Sequence, residues 1–183
     1  GKYTGHAAYF IRLAGCDVGC VWCDVKESWG VEPEQIMATD TLVQSVAATP
    51  CSIVVITGGE PTLHNLDKLT GKLKEQGCRI HIETSGAHAL TGHIDWVCLS
   101  PKKFKYPLPE AYQRADELKV VVYNQKDLEW AEDQAQYVSK DCHLLLQPEW
   151  SRRAEAMAWI VDYVKQHPRW KISLQTHNYL KVP

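Results

Sequence analysis

Three cysteines near the start of the chain, in Cys16-Asp-Val-Gly-Cys20-Val-Trp-Cys23, have the spacing C-x3-C-x2-C. Three thiolates on one short loop can each take one iron of a cubane [4Fe–4S] cluster, leaving the fourth iron without a protein ligand. A fully ligated cluster relays electrons, whereas an open iron can bind a molecule and act on it. Gly15 and Gly19 let such a loop curl until its sulfurs converge. Trp22, between the last two cysteines, can shield the metal or stack on a planar ring such as adenine. A zinc knuckle is the alternative, because C-x2-C also occurs in zinc sites and His6 offers a nitrogen. Zinc sites of that kind combine two paired half-sites, and no second pair accompanies this one, which favours iron–sulfur.

Other polar groups recur at the ends of apolar runs. Arg12 lies four residues before Cys16, where a guanidinium can grip a carboxylate through two hydrogen bonds; a surface ion pair is the plainer explanation. In Thr57-Gly58-Gly59-Glu60-Pro61 the threonine brings a hydroxyl, the glycines let backbone approach a ligand, and Glu60 can accept from an ammonium. Alone, the tetrapeptide Gly58-Gly59-Glu60-Pro61 is no more than a turn signal. Thr84 and Ser85 follow the run Arg79–Glu83 and can bind a ligand or form a local turn. In Ser100-Pro101-Lys102 the serine is the natural hydrogen-bonding side chain, while Lys102 reads equally well as a solvated lysine because Lys103 and Lys105 follow. Gln147-Pro148-Glu149-Trp150 closes a later run, with Gln147 its strongest candidate. Gln175 and His177 stand near the C-terminus, where His177 can polarise a substrate or only hold a turn.

The elements that must position these groups alternate. Strand-like runs span Ala7–Leu13, Ser52–Thr57, Arg79–Glu83, Trp96–Leu99, Glu117–Val122, His143–Gln147 and Lys171–Gln175. Between them, Leu66, Leu69 and Leu73 mark one helical face, closed by Gly77. Leu128, Ala131, Ala135 and Val138 mark a second, and Ala154, Met157, Ala158, Val161 and Val164 a third with Ser151 as N-cap. Strands alternating with helices imply right-handed crossovers and a mainly parallel sheet. Six or seven strands are too few for a closed eight-stranded barrel. The expectation is an α/β fold, a partial (βα)6-type open barrel, in a single domain over residues 1–183. Ligands in such folds gather at the C-terminal ends of the strands, where all of these polar groups fall.

Composition narrows the function classes. A formal charge of -2 argues against a general nucleic-acid binder and against electrostatic attachment to a membrane. The near-apolar runs are strand-sized, so no membrane span is expected, and nothing at Gly1-Lys-Tyr-Thr-Gly reads as a signal peptide. Seven cysteines, an odd number, fit a reducing cytoplasm better than a disulfide framework. Cys51, Cys78, Cys98 and Cys142 read as small buried hydrophobes.

Taken together, the cysteine triplet and Thr57-Gly-Gly-Glu-Pro61 resemble the radical S-adenosylmethionine (SAM) superfamily. The resemblance implies that SAM chelates the open iron and is cleaved by the reduced cluster to methionine and a 5′-deoxyadenosyl radical. Within the superfamily the chain is similar, over nearly its whole length, to enzymes that contract a pterin ring. The carrying stretches are Phe10-Ile-Arg-Leu-Ala-Gly-Cys16, Cys20-Val-Trp-Cys-Asp24, Val55-Ile-Thr-Gly-Gly-Glu-Pro61 and Ile82-Glu-Thr-Ser-Gly86. They continue as Leu99-Ser-Pro-Lys102, Glu117-Leu-Lys119, Leu146-Gln-Pro148 and Leu174-Gln-Thr-His-Asn-Tyr179. The implied reaction converts 6-carboxy-5,6,7,8-tetrahydropterin to 7-carboxy-7-deazaguanine, with loss of ammonia, in the making of queuosine-type deazapurines. SAM contacts are implied for Gly58, Gly59, Glu60, Thr84, Ser85 and the turns Ser100–Lys102 and Gln147–Trp150. Substrate contacts are implied for Arg12, Thr57, Gln175, His177 and the terminal Pro183. The implied partners are a flavodoxin or ferredoxin electron donor and a second copy in a homodimer.

Two departures from the family pattern matter. Members usually carry Thr or Ser where this chain has Val25, and that hydroxyl is associated with Mg²⁺ at the substrate carboxylate. Valine has no oxygen to offer, so a weakened or absent Mg²⁺ requirement is expected. The family also begins with a strand and a Gln-Gly-Glu-Gly turn, and this chain opens at what corresponds to the last glycine, so that segment is expected to be missing. The rival readings are a glycyl-radical-enzyme activase, which shares the cysteine spacing, and a non-catalytic iron–sulfur or zinc protein.

Overall fold

In the computed structural model, which describes residues 1–181, every β-rich run forms a strand. These are β1 (Tyr9–Leu13), β2 (Ile53–Gly58), β3 (Arg79–Thr84), β4 (Trp96–Leu99), β5 (Glu117–Val122), β6 (His143–Pro148) and β7 (Trp170–Ile172). They stand side by side in chain order, each parallel to the next, and β1 and β7 remain as separate edges. The sheet is therefore an open barrel, as expected. The helices are α1 (Thr39–Ala47), α2 (Asp67–Glu75), α3 (Pro109–Arg114), α4 (Lys126–Ala135), α5 (Arg153–Gln166) and α6 (Thr176–Leu180).

Strand alternation splits the side chains between two faces. On the helix-covered face, Ile11, Val54, Ile56, Ile80 and Ile82 pack on Leu66, Leu69 and Leu73 of the α2 region. Leu118, Val120, Leu144 and Leu146 pack on Leu128, Ala131, Ala156 and Ile160. Full burial of such a side chain contributes roughly 1.5–3 kcal/mol, so this face holds the sheet to its helices. The opposite, concave face carries Arg12, Thr57, Glu83, Cys98, Lys119 and Gln147, one from each of β1 to β6. At its N-terminal end it is filled by the first residues of the chain. Tyr3 meets His81 at 4.5 Å and Trp96 at 5.1 Å between ring centroids, and the Arg79 guanidinium lies 5.1 Å from the Tyr3 ring.

The structure departs from the expected elements in particular places. α1, α3 and α6 were not marked by the helical faces, and β7 begins at Trp170 and ends at Ile172. The buried face of α5 is Ala156 and Ile160 with Trp159, Tyr163 and Val164, while Ala154 and Ala158 are exposed. Aromatic residues bring far more apolar area than alanines, and the Tyr163 hydroxyl finds Glu132 at 2.7 Å, which rotates the helix onto that side. Ser151 is not an N-cap; Glu149 accepts from the Ser151 and Arg152 amides at 3.1 Å each, ahead of a 3-10 turn at Trp150–Arg152. Val138 lies beyond the end of α4. Cys78, Cys98 and Cys142 are buried as expected, whereas Cys51 is half-buried; all seven thiols are free.

Candidate functional site

The cysteine loop runs from the end of β1 and is stitched to the turn after β2. The Gly59 amide donates to Leu13 O at 2.9 Å and the Glu60 amide to Gly15 O at 2.8 Å. From the other side, the Gly15 and Cys16 amides donate to Ser28 O and Trp29 O at 2.8 and 3.2 Å. A Cβ on Gly59 would stand 2.3 Å from Gly15 O, and one on Gly58, whose φ is +141°, would stand 2.0 Å from Leu13 O. The close approach these glycines permit is thus first to the cysteine loop itself. Gly19 turns the loop with φ +74° and has open space around it.

Cys16, Cys20 and Cys23 lie together around Val18 and Ala87, beside Trp22. The Trp29 indole donates to Cys23 Sγ at 3.4 Å. Burial pushes the Cys20 thiol up to about 11, against the opposing influence of Lys102, so iron binding there must displace a proton. Among the described residues no three His, Cys, Asp or Glu groups converge as one metal ion demands. Three thiols gathered on one loop suit a cluster, where each takes its own iron. His6 packs on Tyr3 at 5.5 Å, at the other end of the sheet, so the zinc reading loses its nitrogen ligand.

Glu60 is 1% exposed and fully engaged. Its Oε1 accepts from the Thr62 amide at 3.1 Å, from the Thr62 hydroxyl at 2.7 Å and from the Thr84 hydroxyl, and its Oε2 accepts from the Ser85 amide at 2.8 Å and the Ser85 hydroxyl. A carboxylate has about four lone-pair sites, so these donors saturate it. Glu60, Thr84 and Ser85 are brought together as a buried clamp between the ends of β2 and β3, with no acceptor left over for an ammonium in this arrangement.

A cavity of about 700 Å³ opens beside the cysteine loop, at the C-terminal ends of β4, β5 and β6. Trp22, Cys23 and Asp24 form one wall, Pro101 and Lys102 the floor, and Glu149 and Trp150 the far side. Lys102 is turned inward: its Nζ meets Ser100 O at 2.5 Å and Ser100 Oγ at 2.7 Å, 5.7 Å from the Trp22 ring. Burial lowers its pKa, and the Cys20 thiol partly offsets this. The neighbouring lysines are paired with carboxylates, Lys103 with Asp127 at the cavity's edge and Lys105 with Asp17, both at 2.6 Å. Glu149 spends its carboxylate on the Ser151–Arg152 cap. The cavity is completed by Phe104, Val121, Tyr123, Asn124, Asp127 and Trp130, none of which was singled out from the sequence. Tyr123 and Asn124 directly follow β5, so the strand-end rule applied to every strand would have found them.

A second group lies on the concave face. Arg12 and Thr57 are register partners on β1 and β2. Arg12 is exposed and, among the described residues, forms no ion pair. Gln147 accepts from Ser173 Oγ at 3.2 Å, and Pro148 ends β6 as a buried residue. Gln175 Nε2 donates to Asp24 Oδ2 at 2.8 Å, tying the C-terminal segment to the cysteine loop, and His177 is exposed on α6. Pro183 lies outside the described residues.

Comparison with known proteins gives this arrangement its place. Residues 10–102 match the Radical SAM superfamily. The chain is 52% identical over 183 residues to 7-carboxy-7-deazaguanine synthase of Flavobacterium psychrophilum, covering all of this chain and 87% of that protein. It is 48% identical to the enzyme of that name from Synechocystis, with the same coverage, and 34% identical to that of Escherichia coli strain K12, over 93% of its length. The crystal structure of QueE from Escherichia coli superposes with a TM-score of 0.84 at 31% identity, over 96% of this chain and 88% of the other. The cysteine loop, the turn that stitches it and the strand-end cavity are thus those of a chain that belongs to the radical SAM superfamily and, within it, to the 7-carboxy-7-deazaguanine synthase family.

Proposed function

We propose that the protein converts 6-carboxy-5,6,7,8-tetrahydropterin to 7-carboxy-7-deazaguanine, with loss of ammonia, using a [4Fe–4S] cluster held by Cys16, Cys20 and Cys23 together with SAM. The observation that carries this reading is the cavity itself. It has the size of a cofactor site, and Cys23 stands in its wall, so a ligand filling it reaches the cluster loop. When bound, the cluster and SAM supply a carbon radical that removes a hydrogen from the substrate. The chain's own residues bind, orient and exclude water.

Trp22, Trp150 and Pro101 offer flat apolar walls to the adenosine part of SAM, while Ser100 and Lys102 offer polar contacts at the floor. Gly58, Gly59, Glu60, Thr84 and Ser85 hold the cysteine loop against the ends of β2 and β3, and a ligand ammonium gains Glu60 only in exchange for one of its present hydroxyl donors. Gln147, Pro148 and Glu149 shape the far turn. Arg12, with no competing carboxylate among the described residues, suits the pterin carboxylate, and Thr57 stands beside it. Gln175 and His177 stand on the segment that the Gln175–Asp24 hydrogen bond ties to the cysteine loop, and these two, with Pro183, are assigned to the substrate.

The residues do not fit Mg²⁺. Val25 has no oxygen in its side chain and its carbonyl accepts from the Ser28 amide at 2.9 Å and the Ser28 hydroxyl at 2.7 Å. Asp24, the nearest carboxylate in the chain, has its Oδ2 engaged by the Gln175 amide. The reading therefore has no step through magnesium. A flavodoxin or ferredoxin donor, a homodimer and a cytoplasmic setting complete the proposal, the last supported by seven free thiols and by the absence, among the described residues, of any helix long and apolar enough to cross a membrane. The single continuous sheet supports one domain over residues 1–183.

The test is an anaerobic assay of reconstituted protein with SAM, dithionite and carboxytetrahydropterin, with carboxydeazaguanine as the expected product. Cys16→Ala, Cys20→Ala and Cys23→Ala should each abolish 5′-deoxyadenosine formation, and its retention in any of them would sink the cluster assignment. Robust SAM cleavage with no deazaguanine would favour the glycyl-radical activase. Product formation should persist after exhaustive chelation of divalent ions; its loss would overturn the magnesium reading.

A further inference from the structure

The three thiols of the cysteine loop are not equally equipped. Cys20 is buried, whereas Cys16 and Cys23 are half-buried. Only Cys23 has a donor: the Trp29 indole N–H is aimed at its Sγ over 3.4 Å, and among the described residues no other group donates to a sulfur of the triplet. The donor comes from outside the cysteine motif, six residues beyond its last member. Cys23 is also the sulfur-bearing residue in the wall of the cavity, and Trp29 does not line that cavity.

A short turn builds the contact. After Cys23 the chain enters a 3-10 turn at Lys26–Ser28, with Trp29 as its C-cap. The Ser28 amide and hydroxyl both donate to Val25 O, at 2.9 and 2.7 Å, and the Trp29 amide donates to Lys26 O at 3.1 Å. The reversal brings Trp29 back to the start of the cysteine loop, where its carbonyl accepts from the Cys16 amide at 3.2 Å. Trp29 therefore grips the first cysteine through its backbone and the last through its side chain. The backbone half does not depend on the side chain; the N–H half is lost with the indole.

Packing alone would account for a half-buried aromatic ring here, and the Lys26 ammonium 6.0 Å from the ring centroid adds a surface contact. Packing does not require the ring nitrogen to face a sulfur. An indole N–H is a donor only, so it presents positive charge, and no lone pair, to the atom that would carry the iron.

We infer that Trp29 is a positioning residue whose indole N–H, held against Cys23 Sγ, raises the reduction potential of the cluster on Cys16, Cys20 and Cys23. The inference deepens the proposed function and rests on its cluster assignment. An electron added to an iron–sulfur cluster spreads onto the sulfurs, so a hydrogen bond to one of them stabilises the reduced state more than the oxidised one. Without that donor the cluster is harder to reduce. The electron comes from the flavodoxin or ferredoxin already proposed, and the iron ligands are unchanged. What falls is the fraction of enzyme reduced at a given donor potential.

Two replacements test this. Trp29→Phe keeps an aromatic ring and the backbone bond to Cys16 but has no N–H. Incorporating β-(3-benzothienyl)alanine in place of Trp29 keeps both fused rings and exchanges the N–H for sulfur. Each protein is reconstituted anaerobically, its iron is counted, and its midpoint potential is read by an EPR-monitored redox titration without SAM. Both should hold wild-type iron and titrate lower by about 59 mV, a tenfold fall in the reduced-to-oxidised ratio at fixed potential. In D2O, pulsed EPR of the reduced wild type should show a coupled exchangeable deuteron that both replacements lose. An unchanged or raised midpoint in either one, at wild-type iron content, would overturn the inference. If Trp29→Phe loses iron, the benzothienyl protein decides. Iron loss in both would make the indole a structural brace for the loop and overturn the inference too. A wild-type protein that takes up no [4Fe–4S] cluster overturns the underlying reading, whereas a normal wild-type cluster with unshifted replacements overturns this inference alone.

Discussion

The two ends of the concave face are built from the same strands and the same alternation, yet they treat their polar groups in opposite ways. At the N-terminal end most groups find partners within the protein, the buried His81 Nε2 excepted: Arg79 lies over the rings of Tyr3 and Trp96, and Glu117 takes the Lys2 amide at 2.6 Å and the Trp96 indole at 3.2 Å. At the C-terminal end Arg12 has no carboxylate partner among the described residues, the Glu83 side chain remains 42% exposed, and a cavity of about 700 Å³ adjoins the cysteine loop. A plugged end needs only to stay plugged, whereas a working end must keep its hydrogen-bonding capacity for something that is not protein. The contrast gives each end its own kind of sensitivity to mutation.

The largest effect is expected at the working end. Gly59→Ala puts a Cβ 2.3 Å from Gly15 O and 2.8 Å from Ser28 O, both backbone atoms that cannot swing aside. The cysteine loop must then leave the turn after β2, breaking the Gly59–Leu13 and Glu60–Gly15 hydrogen bonds. Iron retention after reconstitution and SAM cleavage should both be lost, with stability lowered by about 3 kcal/mol, the upper range for overpacking. Denaturant titration and iron analysis measure the two parts. A Gly59→Ala protein that holds its cluster and cleaves SAM normally would show that the stitching is dispensable.

Much of this end was legible in the sequence because its chemistry rests on fixed spacings. Cys16, Cys20 and Cys23 must share one loop, Gly58 and Gly59 admit no side chain, and both follow β-rich runs whose positions the structure bears out. The cavity's outer wall was not legible: Phe104, Tyr123 and Trp130 supply a flat surface that any large aromatic can supply, so no spacing marks them. Glu60 shows a different limit. Its residue type suits an ammonium, but donors from Thr62, Thr84 and Ser85 converge on it only once β2 and β3 are side by side. The face of α5 was misjudged because small alanines were weighted equally with Trp159 and Tyr163. His6 looked like a metal ligand by proximity in the chain, although the strand that follows carries the cysteines to the other end of the sheet.

At the plugged end a large cavity mutation should cost stability and leave chemistry alone. Trp96→Ala removes the ring that packs on Tyr3 and stacks on His143 at 5.8 Å, and frees Glu117 of one donor. Since Trp96 is half-buried, a loss of about 2 kcal/mol is expected, below the range for a fully buried tryptophan. SAM cleavage per reconstituted cluster should remain within about twofold of wild type. A loss of turnover comparable to that of Gly59→Ala would abolish the distinction between the ends.

The smallest effect is a pH dependence confined to the plug. His81 is 5% exposed, lies against the Tyr3 ring, and its Nε2 has no hydrogen-bond partner among the described residues. Burial, and then the Arg79 charge, lower its pKa below 6.5; Glu117, Asp95 and Asp116 act the other way without reversing this. The unfolded chain therefore binds the proton more readily than the folded one. The stabilisation is present in full above pH 6.5, the unfolded value, and is lost as pH falls toward and through the lowered folded value. Urea midpoints measured from neutral pH downward should fall for the wild type across that window. His81→Leu keeps an apolar body against Tyr3 but has nothing to protonate, so its midpoint should fall less over the same window, with iron content and SAM cleavage unchanged. A variant that tracks the wild type at every pH would assign the acid sensitivity to the carboxylates instead. It would leave the plug held by packing, cation–π contacts and the Glu117 hydrogen bonds, with His81 making no contribution to the acid sensitivity.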